Sequence, residues 1–307
     1  MTLVKDETHS GTEERNGKVR VACIQYAMRG LGEFDELAER VRFFVESAAE
    51  NHGADFVLFP EFMTMPLLSA MKVKGSKRGI RELAELTPRF VELMSKLARE
   101  QGLHVIAGSH PIVRSDERIE NCSLIFKPDG DYECQPKLHI TPSETEAWDI
   151  AGGNSMVVLE TAKAKIGVLI CYDVEFPEAV RHLVDQGIEI LFGPYCTDDR
   201  QGHLRVSTCA AARAIENQIY VATAGCVGEL EGVPGLDLHY GQAAVFTPSD
   251  LGFARDGIAA QADPNVETML VADLDISSLH RARSEGTVRP LRDRRRDLFE
   301  FRANLGA

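Results

Sequence analysis

The sequence predicts an α/β fold in which mixed β-sheets are covered by helices. Strand-like and helix-like segments alternate along the 307 residues, two hairpin patterns add antiparallel pairs, and no low-complexity linker divides the chain. With 44% apolar residues, the chain is long enough to bury a large core. We therefore predict one domain over residues 18–307, preceded by a flexible polar tail at residues 1–17.

The first half of the chain contains three strand patterns, two helix patterns and one hairpin pattern. The predicted strands span residues 19–27, 54–61 and 104–110, the predicted helices 34–53 and 87–102, and the predicted hairpin 121–139. The strands are short β-branched or apolar runs, whereas the helices repeat apolar side chains at intervals of three and four residues. Gly53 stops the first helix, and the second is expected to have Thr87 as its N-cap and Gly102 just past its end.

The second half of the chain repeats this alternation. Predicted strands lie at 165–173, 189–194, 218–225 and 267–275, predicted helices at 176–187 and 203–217, and a second hairpin at 241–255. Pro177 at the first helical position and Gly187 after the last turn delimit the first of these helices. The basic segment at 280–302 has no regular period, and we expect irregular structure there.

The charge balance and the cysteine content argue against several classes of function. Asp and Glu number 47 against 34 Lys and Arg, so the net charge is −13, and neither nucleic acid nor an anionic membrane is an expected partner. No apolar run approaches the ~20 residues of a membrane span, and the polar N-terminus has no signal-peptide pattern. The seven cysteines are unevenly spaced without a C-x-x-C pair. This spacing argues against disulfides and structural zinc and favours a cytoplasmic location.

Three reactive side chains follow predicted strands, where open α/β sheets place their sites. Glu61 comes after a Phe-Pro pair, and partly apolar surroundings there would raise its pKa toward the range of a general base. Lys137 leaves the first hairpin, where a fixed ammonium can stabilise an oxyanion or lower the pKa of a thiol. Cys171 ends an apolar run. Taken singly, each is more often a solvated charge or a small core residue than a catalytic group.

Cys171 is followed by three acids, Asp173, Glu175 and Glu178. Nearby negative charge raises the pKa of a thiol and makes it less reactive. A catalytic role for Cys171 therefore requires activation from elsewhere in the chain. Lys137 in a low-dielectric pocket is expected to lower the pKa of this thiol by about one or two units. The downstream acids are expected to build the turn, with Asp173 held either by backbone N–H groups or by an arginine near the turn.

Together, the three segments resemble the nitrilase superfamily of carbon–nitrogen hydrolases. The resemblance rests on "FPEF" around Glu61, "KLH" from Lys137 and "GVLICYDVEFPE" around Cys171, in that order and each at a strand end. It extends from "VRVACIQYA" near the start, through "RAIENQIYVATAG", to "DRRRDLF" near the end. Each motif alone is a weak signal, but their combination is specific.

The resemblance implies a four-layer αββα sandwich, in which two mixed β-sheets pack face to face, and a homodimer or a larger homo-oligomer. It also implies roles for the three residues: Glu61 as general base, Lys137 as the cation beside the oxyanion and Cys171 as nucleophile. In this family a second glutamate follows the lysine, and Glu144 and Glu146 both match its position. We favour Glu144, because "TPSE" resembles the proline-containing approach seen in amidases of the family.

The same resemblance suggests the remaining parts of the site. The backbone N–H of Tyr172 is the second expected oxyanion donor, and no metal or organic cofactor is expected. The expected walls of the substrate pocket are Tyr195, Cys196, Thr197, Phe62 and Trp148.

These residues predict a cysteine-dependent hydrolase of a small linear amide or N-carbamoyl compound, which forms a thioester and releases ammonia or an amine. "CYDVEFPE" favours amidases and carbamoylases over true nitrilases, which tend to carry Cys-Trp-Glu at this point in the family. Three alternatives stay open: a nitrile hydrolase, an acyl transferase in which an amine intercepts the thioester, and a catalytically silent member that binds a metabolite or a partner protein.

Overall fold

A computed structural model describes residues 17–71, 75–299, 302–303 and 305 of the chain. The predicted N-terminal tail lies outside the described residues except for Gly17, and the extent of the single domain stays a prediction. Within the described ranges, no helix is both long enough and apolar enough to cross a membrane.

Helices and strands alternate over the described residues. The α-helices are α1 (Phe34–Glu46), α2 (Lys77–Ala84), α3 (Thr87–Gln101), α4 (Pro142–Trp148), α5 (Pro177–Asp185), α6 (Arg200–Asn217) and α7 (Ile276–Glu285). The strands are β1 (Lys18–Ala27), β2 (Phe56–Leu58), β3 (His104–Ile106), β4 (His110–Val113), β5 (Ile119–Phe126), β6 (Tyr132–Pro136), β7 (Ile150–Ala151), β8 (Val158–Glu160), β9 (Lys165–Val168), β10 (Ile190–Tyr195), β11 (Tyr220–Val227), β12 (Ala244–Phe246), β13 (Ile258–Gln261) and β14 (Thr268–Asp275). Short 3₁₀ helices lie at Met65–Ala70 and Cys171–Glu175, and a π-helical turn lies at Ser47–Asn51.

The strands form two mixed sheets. In the first sheet β14, β1, β2, β3 and β5 lie side by side, and β4, β6 and β7 also pair with β5. The second sheet has the order β8-β9-β10-β11-β12-β13. The central strands of each sheet are parallel, namely β1 to β3 in the first and β9 to β11 in the second. The two sheets join at the ends of two central strands, where Tyr26 and Ala27 of β1 pair with Cys226 and Val227 of β11.

Strand β1 shows how the layers are built. Val19, Val21 and Cys23 belong to the apolar core between the two sheets, whereas Ala22 and Ile24 belong to the core under α1 and α3. One strand serves both cores because successive side chains point to opposite faces of a sheet. Helices α5 and α6 cover the outer face of the second sheet in the same way. The predicted four-layer αββα sandwich is thereby confirmed.

Several predictions of local structure are wrong. Thr87 is the first residue of α3 rather than its N-cap, and its hydroxyl donates to the Ala84 carbonyl. The basic segment predicted to be irregular begins inside α7, whose N-cap, Asp275, accepts a bond from the Ser278 N–H. The second hairpin closes later than predicted, because β12 pairs with β13 beyond residue 255.

Candidate active site

Glu61 is buried in a tightly packed turn after β2. The next residue, Phe62, has a φ of 59°, in the left-handed region that bulky residues rarely adopt, and its N–H donates to Ser109 Oγ at 2.9 Å. Gly108 lies against this turn with a φ of 52°, and a Cβ there would be 1.9 Å from the Pro60 carbonyl oxygen. The turn that carries Glu61 therefore requires glycine at position 108.

Lys137 follows β6 and is also buried. Its N–H donates to the Asn121 carbonyl at 2.8 Å, which fixes the backbone against β5. Its ammonium Nζ donates to Glu61 Oε1 at 2.8 Å and to Glu144 Oε2 at 2.7 Å. Because an unpaired buried charge is very costly, the lysine and the two carboxylates depend on one another.

The structure separates the two candidates for the second glutamate. Glu144 is buried at the start of α4, where it forms a capping box with Thr141. Its Oε2 accepts the Thr141 N–H at 3.0 Å and the Thr141 hydroxyl at 2.8 Å. Glu146 is exposed on the same helix. Glu144 is therefore the glutamate beside the lysine, and its part in a reaction stays a proposal.

Cys171 opens the 3₁₀ turn that follows β9. The strand ends at Val168, earlier than predicted, and Cys171 has a φ of 48°, again in the left-handed region. Its Sγ donates to the Cys196 carbonyl at 3.7 Å. The N–H of Tyr172 lies in the first turn, where helical N–H groups lack partners within the helix. The turn thus places the Cys171 thiol next to the backbone N–H of Tyr172.

Asp173 ties the loop after the lysine to the turn of the cysteine. Its carboxylate accepts the N–H groups of His139 at 2.7 Å, Leu138 at 3.2 Å and Ile170 at 3.3 Å, and contacts His139 Nδ1 at 2.9 Å. The expected backbone contacts of Asp173 are confirmed. This downstream acid therefore holds the backbone of the site together.

Asn121 is a site residue that the sequence analysis missed. Its Nδ2 donates to Glu61 Oε1 at 3.0 Å and to Glu144 Oε1 at 3.3 Å, so one amide bridges both carboxylates. Asn121 lies in β5, which is buried along its whole length. Buried polar side chains require hydrogen-bond partners, and an asparagine in an otherwise strand-like run was the available signal.

Burial dominates the ionisation of the cluster. It raises the pKa of Glu61 to about 7, although the Lys137 ammonium lowers that pKa. Burial, followed by the charge of Glu61, raises the pKa of Cys171 well above its ordinary value, and Lys137 offsets only part of this rise. Lys137 does lower the pKa of this thiol, as predicted, but burial and Glu61 raise it by more, an effect that the prediction did not include. The resting cysteine is a neutral thiol beside a carboxylate with a pKa near neutrality.

A cavity of about 780 Å³ opens onto the cluster. Its lining includes Glu61, Lys137, Glu144, Cys171 and Tyr172 and four of the expected wall residues, Phe62, Trp148, Cys196 and Thr197. The fifth, Tyr195, is buried behind the cysteine, where its hydroxyl donates to the Gln242 carbonyl at 3.0 Å and contacts His203 Nδ1 at 3.0 Å. Tyr195 packs there because side chains of a strand alternate between its two faces.

Charged residues also line the cavity, and the sequence analysis did not assign Glu175 and Arg205 to it. Glu175 and Arg205 lie 3.7 Å apart between carboxylate and guanidinium atoms, and Asp198 lines the same cavity. Burial raises the pKa of Asp198. The cavity therefore combines an apolar wall with charges of both signs, which suits a small polar molecule.

The layered fold, with a buried acid, lysine and thiol around one cavity, is that of the nitrilase superfamily. The chain belongs to the carbon-nitrogen hydrolase family, whose model matches residues 20–284.

Known relatives agree with this assignment. The probable hydrolase YhcX of Bacillus subtilis (strain 168) is 42% identical over 283 residues, which cover 92% of this chain and 55% of that protein, so the chain spans about half the length of that relative. Omega-amidase NIT2 of Xenopus tropicalis is 28% identical over 295 residues, covering 92% of this chain and 97% of that protein. The crystal structure of Saccharomyces cerevisiae Nit3, a member of branch 10 of the nitrilase superfamily, matches with a TM-score of 0.73 at 25% identity, covering 87% of this chain and 93% of that one.

Proposed function

We propose that this carbon–nitrogen hydrolase is a cysteine-dependent amidohydrolase. It cleaves the C–N bond of a small linear amide or N-carbamoyl compound through a thioester and releases ammonia or an amine. One observation carries the proposal: Cys171 lies in the lining of the same cavity as a carboxylate whose pKa is about 7 and a buried ammonium. A nucleophile, a base and a cation around one cavity are the parts that acyl transfer requires.

Glu61 acts as the general base in the first half of the reaction. It takes the proton of the Cys171 thiol as the sulfur attacks the carbonyl carbon, and then gives that proton to the departing nitrogen. A carboxylate with a pKa near 7 suits both steps at neutral pH, because it accepts and returns a proton at little cost.

The negative charge that develops on the carbonyl oxygen is stabilised by two donors. The Lys137 ammonium and the Tyr172 backbone N–H both lie at the cavity, and loss of one such donor typically costs ~10²–10³ in rate. Glu144 and Asn121 hold the lysine and the base in place. Glu61 then deprotonates a water, which hydrolyses the thioester.

An amide or a carbamoyl group is the proposed substrate, ahead of a nitrile. The support is the Cys-Tyr-Asp motif at Cys171 together with the relatives named omega-amidases, one of which is 28% identical over nearly its whole length. Candidate substrates are an ω-amidated dicarboxylate, an N-carbamoyl amino compound and a short aliphatic amide.

The test is a screen of these compounds for ammonia release with the wild-type protein and the Cys171→Ala variant. We expect Cys171→Ala to abolish turnover of any amide that the wild type cleaves. Cys209→Ala is the matched control, since this partly exposed thiol lies on α6 outside the cavity lining. Full activity of Cys171→Ala would refute the assignment. A Cys171 that stays unmodified by electrophilic amide analogues would favour a silent binding member, and acyl products formed with added amines would favour an acyl transferase.

We also propose a cytoplasmic homodimer. The seven free thiols suit a reducing compartment. Leu204 and Ile215 of α6 expose 44% and 41% of their surface, and a second copy of the chain would cover them. Light scattering on the purified protein measures the assembly directly, and a monomer at micromolar concentration would contradict the proposed dimer.

A further inference from the structure

A second group of sulfur atoms lies outside the active-site cavity. Cys122 is on β5 and Cys134 on β6, and the register pairs Leu124 with Cys134 and Cys122 with Pro136. Cys122 is two residues from Leu124, so the two cysteines project from the same face of the sheet as diagonal neighbours. Cys122 is buried, whereas Cys134 is partly exposed to solvent.

One arginine contacts both sulfur atoms. Arg114, just after β4, donates from Nη2 to Cys122 Sγ at 3.3 Å and to Cys134 Sγ at 3.4 Å. The same guanidinium donates from Nε to Glu120 Oε2 at 2.6 Å, and this buried carboxylate fixes its position. A positive charge held against two thiols is the environment in which a cysteine becomes reactive.

We propose that Cys134 and Cys122 form a redox-reactive dithiol that a hydroperoxide oxidises to a disulfide. This modification site lies beyond the proposed amidohydrolase function and does not depend on it.

The ionisation of the pair assigns a role to each sulfur. The hydrogen bond from Cys122, together with the Arg114 charge, lowers the pKa of Cys134 to about 7, against the effects of burial and of Glu120. The same hydrogen bond, together with burial, raises the pKa of Cys122 well above its ordinary value. Cys134 is therefore the thiolate that meets the oxidant, and Cys122 is the thiol that resolves it.

The reaction balances with hydrogen peroxide as the oxidant. The Cys134 thiolate attacks one peroxide oxygen, the O–O bond breaks, and the departing hydroxide takes up a proton to become water, which leaves Cys134 as a sulfenic acid. The Cys122 sulfur then attacks Cys134 Sγ, and the sulfenic oxygen leaves as a second water with the thiol proton. Two thiols and one peroxide thus become one disulfide and two waters.

Disulfide formation would move the strands that reach the active site. Diagonal neighbours lie about 7–8 Å apart between Cα atoms, whereas a disulfide requires about 4.4–6.8 Å, so β5 and β6 must approach each other. Asn121 directly precedes Cys122, and Lys137 follows Cys134 by three residues. Oxidation of the dithiol would therefore move the backbone next to Asn121 and Lys137, two residues of the active-site cluster.

The test uses the Cys171→Ala variant, so that the active-site thiol does not consume the oxidant. Cys122 and Cys134 lie in one tryptic peptide, residues 119–137, because trypsin does not cleave between Lys127 and Pro128. We expect a brief treatment with hydrogen peroxide to lower the mass of this peptide by about 2 Da, reversibly with dithiothreitol. Adding Cys122→Ser should abolish that loss and leave Cys134 as a sulfenic acid.

Alkylation rates provide a second measurement that needs no oxidant. Cys209 is the internal control, because it is also partly exposed but burial raises its pKa. At pH 7 about half of Cys134 is thiolate, whereas burial raises the pKa of Cys209 and keeps it mostly protonated. After allowing for the lower nucleophilicity of the more acidic thiol, we expect Cys134 to react several-fold faster than Cys209. Equal rates, or a peptide 119–137 of unchanged mass after peroxide treatment, would overturn the proposal.

Discussion

Asn121 offers the sharpest test of how the buried cluster is organised. Its single side-chain amide donates to both Glu61 and Glu144, while its Oδ1 is buried without a hydrogen-bond partner among the described residues. The substitution Asn121→Leu keeps a similar shape and removes both donated bonds. Ser123→Ala in the same buried strand is the matched control, because the Ser123 hydroxyl makes no hydrogen bond within the described part of the chain.

The size of the effect follows from the charge of the acceptors. A hydrogen bond to a charged group contributes about 1.5–3 kcal/mol, and one pKa unit corresponds to about 1.4 kcal/mol. Asn121 donates to the ionised form of Glu61, so its loss favours the protonated form. We expect the pKa of Glu61 to rise from about 7 by about one to two units. At pH 7 the ionised fraction then falls from about one half to about one tenth or less.

The assay is the pH profile of kcat/KM for an amide that the wild type cleaves. Because Glu61 must be ionised to accept the thiol proton, activity rises with pH through its pKa, and the midpoint for the wild type is expected near 7. For Asn121→Leu the rise should shift to higher pH, with about a fivefold loss or more at pH 7 that recovers above pH 9. Ser123→Ala should keep the wild-type midpoint. An Asn121→Leu profile with an unshifted midpoint would refute the reasoning.

Two further substitutions test the turns that hold the site. Gly108→Ala places a Cβ 1.9 Å from the Pro60 oxygen at a positive φ and should lower the free energy of unfolding by ~3 kcal/mol or more. Gly102 also has a positive φ, but an added Cβ there would have nothing within 4 Å. Urea denaturation of Gly102→Ala should therefore show a loss of only ~1 kcal/mol in the free energy of unfolding. Equal losses for the two alanine variants would contradict the steric argument. Asp173→Asn weakens charge-assisted hydrogen bonds from three backbone N–H groups. It should lower the free energy of unfolding by ~2–4 kcal/mol in the same assay. A variant as stable as the wild type would show that these bonds do not hold the turn.

The fold was largely predictable because hydrophobic period and strand length are local properties. The strands that build the two-sheet core are continuous apolar runs, and this pattern can be recognised without knowing which strands pair with one another. Helix α7 was missed for a local reason as well. Its sequence, "ISSLHRARSE", has few apolar residues, and its start depends on the cap that Asp275 provides.

The site was predictable only where a motif stands at a strand end. Glu61, Lys137 and Cys171 have such motifs, whereas Asn121 meets Glu61 across 60 positions of sequence and carries none. The direction of the pKa shift of Cys171 could not be inferred either, because it depends on how completely the thiol is buried. A sequence can suggest which charged residues lie near a titratable group, but not how deeply that group is buried. For Cys171, burial changes the pKa more than the neighbouring charges do.

The charges of the cluster explain why its cysteine must stay protonated until it reacts. With both carboxylates ionised, Glu61, Glu144 and Lys137 already carry one net negative charge in a buried site, and a thiolate at Cys171 would add a second beside Glu61. In the proposed reaction the proton moves to Glu61 only as negative charge passes to the carbonyl oxygen, where Lys137 and the Tyr172 N–H receive it. The pH dependence of turnover should therefore follow Glu61 rather than the thiol. By the same logic, a neutral alkylating reagent at pH 7 should modify Cys134 before Cys171, although Cys171 is the proposed nucleophile.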